Sequence, residues 1–497
     1  MALTCRDDRI EPATPFAQLH QLARRDVEAT AIAFCLSLAA FTLLSTNALL
    51  DDGPQLLQEF THPNGLAVWN HVLYFPAARA IALLGAGDAY ALTLLSAISG
   101  ALVVTFAHAT ALVVTGSARA AAMTAVAVAL TPCVAIHATF VEVHALHAAT
   151  VAGTVFAVVS LANNAGKATA ATVIGTALCA LTHRSAPLLG PALACVATVA
   201  LRQSGAMRPR SIALIAVGIG LALGLSIDEA LHSFLGGPRL LDSIAQVEEA
   251  TRSGAPAMLF DESLLQLPAL ILGALALGLR SNAHELRVAP LFALACYGSA
   301  IAIAGIATHG GYWLGAVPFL AIGFASCANF ALGHSKQLRW MTAISVGISG
   351  GIASRAVAFN PERESLAQLR EQRSEAARAW LPSGGELLSS GLALQFVDGI
   401  AGGVREHDLG TQIGRRLLAG EPIEVIEQAV VDSVRIACAG TTRDVVWTCE
   451  WRKIESLPRA LHDAMERIEA RVIEEFRGEQ RLCEHGESWR LDLRGAQ

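Results

Sequence analysis

Residues 29–65 read ATAIAFCLSLAAFTLLSTNALLDDGPQLLQEFTHPNG. The first part, Ala29 to Leu50, is apolar and about 20 residues long, enough to cross a hydrocarbon core at helical rise. Asp51 and Asp52 follow at once, then Gly53-Pro54, Glu59 and His62-Pro63-Asn64-Gly65. Carboxylates at the border of a membrane helix are expensive to keep there, and such ionisable groups mark function by default. The polar residues before Ala29 and the lack of a small-residue cleavage site read as an uncleaved anchor.

Outward from this stretch, the whole chain has the same character. Of 497 residues, 53% are hydrophobic and 16% charged, and mean hydropathy is +0.48; this excludes an ordinary soluble domain and defines an all-α polytopic membrane protein. Spans are expected near 29–50, 89–115, 118–136, 142–162, 168–182, 185–201, 211–230, 264–280, 288–307, 311–332 and 338–358, about 11 in all. The stretch 66–84, with Trp69, Tyr74, Pro76 and Arg79, suits a helix lying in the interface better than a span. No basic stripe points to nucleic acid. Ten cysteines show no metal-ligand spacing, and most lie in apolar segments as small core residues; only Cys438, Cys449 and Cys483, in the polar tail, are placed to pair.

Loop charges set the topology. With the N-terminal segment 1–28 in the cytoplasm and 66–84 not crossing, Arg119, Lys167, the group Arg202, Arg208 and Arg210, the pair Arg280 and Arg287, and the pair Lys336 and Arg339 all fall inside. Asp51, Asp52, Glu59, His62, His137, Glu142, His183, Arg184, Asp228, Glu229, His309 and Tyr312 then map to the outer face of the cell (inner) membrane. The long loop 231–263 lies there too and suits a cover over a site. After the transmembrane domain, 29–358, composition becomes that of a soluble protein. A small extracytoplasmic α/β domain is expected over 359–497, with an exposed helix at Pro361 to Trp380, strands at Glu386 to Ser390 and Asp444 to Trp451, helices at Ile423 to Cys438 and Leu457 to Phe476, and turns at Gly384-Gly385 and Gly402-Gly403.

The outer-face residues have the chemistry of group transfer from a phosphate. A base must take the acceptor proton, and a cation must steady the departing phosphate. Either Asp51 or Asp52 offers the base, since a like-charged neighbour biases a carboxylate pKa upward; Asp52-Gly53-Pro54 is equally good turn sequence. Arg184, beside His183, or Arg79 offers the bidentate phosphate contact, although an interfacial Arg such as Arg79 also snorkels to headgroups. His144 and His147 share a helix face near Glu142 and His137, a pattern compatible with a divalent metal or with interhelical hydrogen bonds alone; the second places Glu142 as a residue that orients the site.

These segments resemble a known family. Asp51-x-Gly53-x-x-Leu56 after the first span, His62-Pro63-x-Gly65 some way on, and Glu142-Val143-x-Ala145-Leu146 at the head of a later span are similar to the protein O-mannosyltransferase-like group of GT-C membrane glycosyltransferases. Leu94-Leu95-Ser96-Ala97 and Leu181-Thr182-His183 also resemble its segments, and His309 to Pro318 resembles the Tyr-containing, Pro-terminated helix start of GT-C enzymes. Pro54 stands where the family has an acidic residue, and His144 where it has an aromatic. The resemblance implies a polyprenyl-phosphate sugar donor, an outer-face site and a catalytic Asp in the first loop, matched here by Asp51; Asp52 and Glu142 are the further catalytic candidates, and a hexosyl transfer is the expected reaction. Glu59, His62, Arg79, His183, Arg184, His309 and Tyr312 are the expected substrate contacts. The acceptor is a lipid, glycan or protein. A secondary transporter would instead carry mid-membrane ionisable groups and repeat symmetry, and a non-catalytic assembly protein would tolerate a neutral residue at position 51.

Overall fold

The structure, a computed structural model, describes residues 24–45, 56, 60, 72–235, 270, 289–295, 311–333, 336–358, 372, 374–389, 403–418, 421–438, 444–453, 459–477, 479–483 and 486–491. It divides into two compact units, Met1–Thr46 with Leu66–Asn360 and Asn47–Gly65 with Pro361–Gln497.

The first unit is helical: α1 (Arg24–Leu44), α2 (Tyr74–Ala82), α3 (Asp88–Thr115), α4 (Ala118–Ala129), α5 (Pro132–Thr139), α6 (His144–Ser160), α7 (Ala165–Thr182), α8 (Gly190–Gln203), α9 (Pro209–Leu235), α10 (Val317–Gly333) and α11 (Lys336–Ala358). Six helices are long and apolar enough to cross a membrane, or seven if the bent pair α4–α5 is one span, among the described residues. This is fewer than the eleven expected, for identifiable reasons. The expected span 118–136 bends by 62° between α4 and α5. Pro132 opens α5 and Thr131 before it is extended at φ −75° and ψ 123°, as a proline demands of its predecessor. Helix α6 begins only at His144 because Phe140 is extended, which leaves 17 residues. Helix α11 is 23 residues long, but Lys336, Arg339 and Arg355 dilute its apolar character. The span at 264–280 lies outside the described residues except for position 270, and that at 288–307 except for 289–295. In the interfacial stretch, the described helix α2 has 9 residues, about 13 Å of rise and too short to cross.

Small residues bring α7 and α9 together as parallel neighbours. A Cβ on Gly220 would stand 2.6 Å from the Val173 carbonyl and 2.8 Å from the Thr176 Cβ; one on Gly224 would stand 2.5 Å from the Ala177 carbonyl and 2.7 Å from the Ala180 Cβ. Asp228, one further step of four along α9, meets Arg184. The pairs 220/176, 224/180 and 228/184 keep one offset of 44 residues, a continuous helix ladder of the small-xxx-small kind. Helix α6 runs antiparallel to α7: Thr154 faces Gly175, and His147 meets Thr182. Successive helices therefore sort the charges by end. Arg119, Lys167, Arg202, Arg208, Arg210, Lys336 and Arg339 are all exposed at one end, and His137, Glu142, His144, His147, His183, Arg184 and Asp228 are buried at the other.

The second unit holds a five-stranded mixed sheet. Strands β1 (Gly385–Ser389), β2 (Val404–Asp408), β3 (Asp444–Thr448), β4 (Glu479–Cys483) and β5 (Gly486–Leu491) run in the order β2-β1-β3-β5-β4. Strand β1 is parallel to β2 and β3, and β5 is antiparallel to β3 and β4. Helices α12 (Leu409–Leu418), α13 (Ile423–Cys438) and α14 (Arg459–Glu475) build a core with Leu388, Val445, Trp447, Ile468 and Val472. Buried Glu469 on α14 accepts from both indoles, Trp451 at 2.7 Å and Trp447 at 3.3 Å, and from Arg452. At the expected glycine turns Gly384 has φ +75°, Gly403 has φ +82°, and the Gly403 carbonyl accepts from Gly385, the first residue of β1, at 3.0 Å, while Gly402 lies outside the described residues. The helix expected to be exposed before Trp380 instead buries Ser374, Ala376, Ala377 and Trp380, three of which pack with Leu387 of β1. The strand expected to reach Trp451 stops at Thr448, where a 3-10 turn over Glu450–Lys453 takes over. Cys449 is a buried thiol of this core.

Candidate active site

The buried polar end of the helical unit is assembled from short pieces that each break a helix. Between α5 and α6 the chain is irregular, and Glu142 occupies this gap. Its Oε1 accepts the Val143 N–H at 2.8 Å and lies 3.9 Å from His144 Nε2. Ser96 on α3 clamps the Glu142 backbone in both directions, accepting its N–H at 3.2 Å and donating to its carbonyl at 3.3 Å. Between α7 and α8, His183 is extended at φ −160° and ψ 131°, and its Nδ1 accepts the Ser185 N–H at 3.0 Å.

These breaks bring four imidazoles together. Ring centroids are 6.1 Å apart for His137 and His144, 4.8 Å for His144 and His183, and 5.2 Å for His147 and His183. His147 Nδ1 lies 3.1 Å from the Thr182 hydroxyl, and His137 Nδ1 donates to the Cys133 carbonyl at 2.8 Å. A 3-10 turn, Gly311–Ala316, closes over the cluster. A Cβ on Gly311 would stand 2.5 Å from His144 Cδ2 and 2.9 Å from His137 Nε2, so only glycine fits there without moving an imidazole. Among the described residues no group of three or more His, Cys, Asp or Glu is arranged to hold a metal ion. His144 and His147 both pack against His183, while His144 faces Glu142 and His147 faces Thr182.

Arg184 is buried beside His183, and its Nε donates to Asp228 Oδ2 at 2.7 Å. The expectation of Arg184 as a phosphate contact alone thus needs an addition: a carboxylate fixes the guanidinium and takes up part of its charge. Of the other expected site residues, Arg79 is exposed on α2. Asp51, Asp52, Glu59, His62 and His309 lie outside the described residues, as does the Tyr312 side chain. Sequence reasoning passed over two contributors as site residues. Asp228 was signalled by its place four residues after Gly224 in the ladder, and Ser96 by the family-like Leu-Leu-Ser-Ala segment.

No family model and no curated protein sequence matches the chain. Solved structures do. The chain is similar to ArnT from Cupriavidus metallidurans bound to undecaprenyl phosphate, with 12% identity, a TM-score of 0.58, and coverage of 94% of this chain and 98% of that one. The apo state of the same ArnT gives a TM-score of 0.53 with the same identity and coverage. At this identity the likeness speaks for the fold alone: the chain has the fold of that ArnT.

Proposed function

We propose that the protein is an integral membrane glycosyltransferase that moves a sugar from a polyprenyl-phosphate-linked donor to an acceptor on the outer face of the cytoplasmic membrane. One observation carries this reading: an ArnT-like fold over nearly the full chain encloses a buried Glu, four His and a carboxylate-held Arg at one end of the bundle. ArnT was crystallised with undecaprenyl phosphate, which supports a donor of the same lipid class here. In this mechanism a carboxylate of the first loop, Asp51, removes the acceptor hydroxyl proton as that oxygen attacks the anomeric carbon, with inversion. The glycosidic bond to phosphate breaks, and polyprenyl phosphate leaves. Asp228 holds the Arg184 fork in one orientation, so that its charge is preorganised for phosphate oxygens.

The membership in the O-mannosyltransferase-like group rests on the motifs of the first 200 residues, and the hexosyl nature of the sugar and the inner-membrane location are part of the proposal. The division into domains 1–28, 29–358 and 359–497 belongs to the same reading. So does an outside C-terminal domain. A transporter is less well served, because the buried ionisable residues of the site sit at one end of the helices instead of mid-membrane. The test is incubation of the purified protein with a panel of radiolabelled polyprenyl-phosphate sugars. Release of polyprenyl phosphate together with transfer of label is the expected result, and no release from any donor overturns the reading.

A further inference from the structure

At the end of the bundle away from the buried His, Glu and Arg group, α8 closes in a Schellman turn. Gly205 stands at φ +79°, its N–H donates to the Arg202 carbonyl at 3.1 Å, and the Ala206 N–H donates to the Leu201 carbonyl at 3.0 Å. The turn projects Met207, which is 98% exposed, from the short connection to α9. Arg202 before it and Arg208 and Arg210 after it are exposed as well. The ladder between α7 and α9 brings a fourth cation to the same place. Its offset of 44 residues also separates the first residues of the two helices, Ala165 and Pro209, so both begin at one level. Exposed Lys167, in the first turn of α7, is then level with Ser211, next to Arg210. The stretches 161–170 and 200–211 contain no Asp or Glu. Asp26 and Glu28, the acidic residues described at this end, belong to α1, which packs on α3.

We infer that Met207, Arg202, Arg208, Arg210 and Lys167 form a docking surface for the headgroup of an anionic phospholipid in the leaflet at this end of the bundle. Charge complementarity sets the sign of the headgroup: the four cations have no carboxylate in either connection to offset them, and each Lys or Arg near an anionic membrane surface strengthens the attraction roughly fivefold. A zwitterionic headgroup brings its own cation and gains little. Two features select a lipid over a soluble anion. Met207 is a long apolar side chain flanked by cations, which suits a loop that dips its tip into the boundary between headgroups and acyl chains while its charges meet phosphate. The apolar surface also continues along α9, where Leu214, Ile215 and Ile219 are exposed within about two to three turns of Arg210, a wall for the acyl chains of the lipid held there. The inference does not depend on the glycosyltransferase reading.

The test titrates the purified full-length protein in neutral detergent with phosphatidylglycerol, or with phosphatidylcholine of the same acyl chains, and reads the rise in the thermal unfolding midpoint. A lipid that binds the folded protein raises that midpoint. Phosphatidylglycerol should act at a lower concentration than phosphatidylcholine, and the difference should shrink in high salt. Arg208→Gln and Arg210→Gln should each weaken the apparent affinity for phosphatidylglycerol by roughly fivefold, and the two combined with Lys167→Gln should remove the preference. Met207→Ser should weaken the response to both lipids while keeping the preference. Arg339→Gln removes an exposed cation of the same end on α11 and should leave the affinity unchanged. Each variant is read against its own lipid-free midpoint, so a loss of folding stability is not mistaken for a loss of lipid. Equal response to the two lipids, an unchanged response to phosphatidylglycerol in the triple variant, an equal loss in Arg339→Gln, or the same rise with inorganic phosphate alone overturns the inference.

Discussion

At the residue scale the buried Arg184 and Asp228 are the most consequential pair. Their side chains are 5% and 1% exposed, so each charge depends on the other for compensation. Removing one partner of such a pair costs about 3–5 kcal/mol, because the remaining charge stays buried. Asp228→Ala is expected to lose stability on that scale, and Arg184→Ala similarly; the double variant should lose clearly less than the two together. Thermal unfolding in detergent of the four proteins in the cycle measures this, and strict additivity would mean that the contact contributes no coupling. Glu142, His183 and Arg184 were legible in the sequence because polar residues are scarce at these helix ends and stand out against the apolar background. Asp228 was legible as an outer residue but not as the partner of Arg184, because that depends on the register of two helices far apart in sequence.

At the element scale the ladder between α7 and α9 sets that register. Gly224→Ala would push a methyl to 2.5 Å from the Ala177 carbonyl, a backbone atom that cannot rotate away, and overpacking of this kind costs about 1–3 kcal/mol. Gly218, on the same helix, has nothing within 4 Å of a Cβ, and Ala there is expected to be neutral or to stabilise by up to about 1 kcal/mol through helix propensity. Unfolding midpoints of the two variants should move in opposite directions or differ by that margin; equal midpoints would contradict the close packing. Helix existence followed from apolar length alone, so α1, α3, α7, α8 and α9 lie close to their expected ranges. The break at Thr131-Pro132 was hidden because apolar residues continue through it. In the second unit, α13 was found at its exact bounds from its amphipathic period. Strands β2, β4 and β5, with sequences VREHD, EQRLC and GESWRL, are too short and too polar to announce a strand, and only pairing in the sheet makes them one.

For the whole molecule, the sorting of exposed basic residues to one end and the buried His, Glu and Arg group to the other is what the positive-inside reading requires of an outer-face site. A reporter active only in the cytoplasm, fused after Gln497, is expected to stay silent; activity would reverse the orientation of the C-terminal domain. The central claim is base-assisted transfer from a lipid-phosphate donor, and its most direct measurement is the turnover of a correctly inserted Asp51→Asn protein with the donor that the unaltered chain uses. Asparagine keeps the size of the side chain but removes the basic oxygen, and a general base contributes about 10²- to 10⁴-fold. Turnover should fall by that factor in Asp51→Asn, with donor binding retained and a much smaller loss in Asp52→Asn. Unchanged turnover in Asp51→Asn, in Asp52→Asn and in the double variant would contradict it.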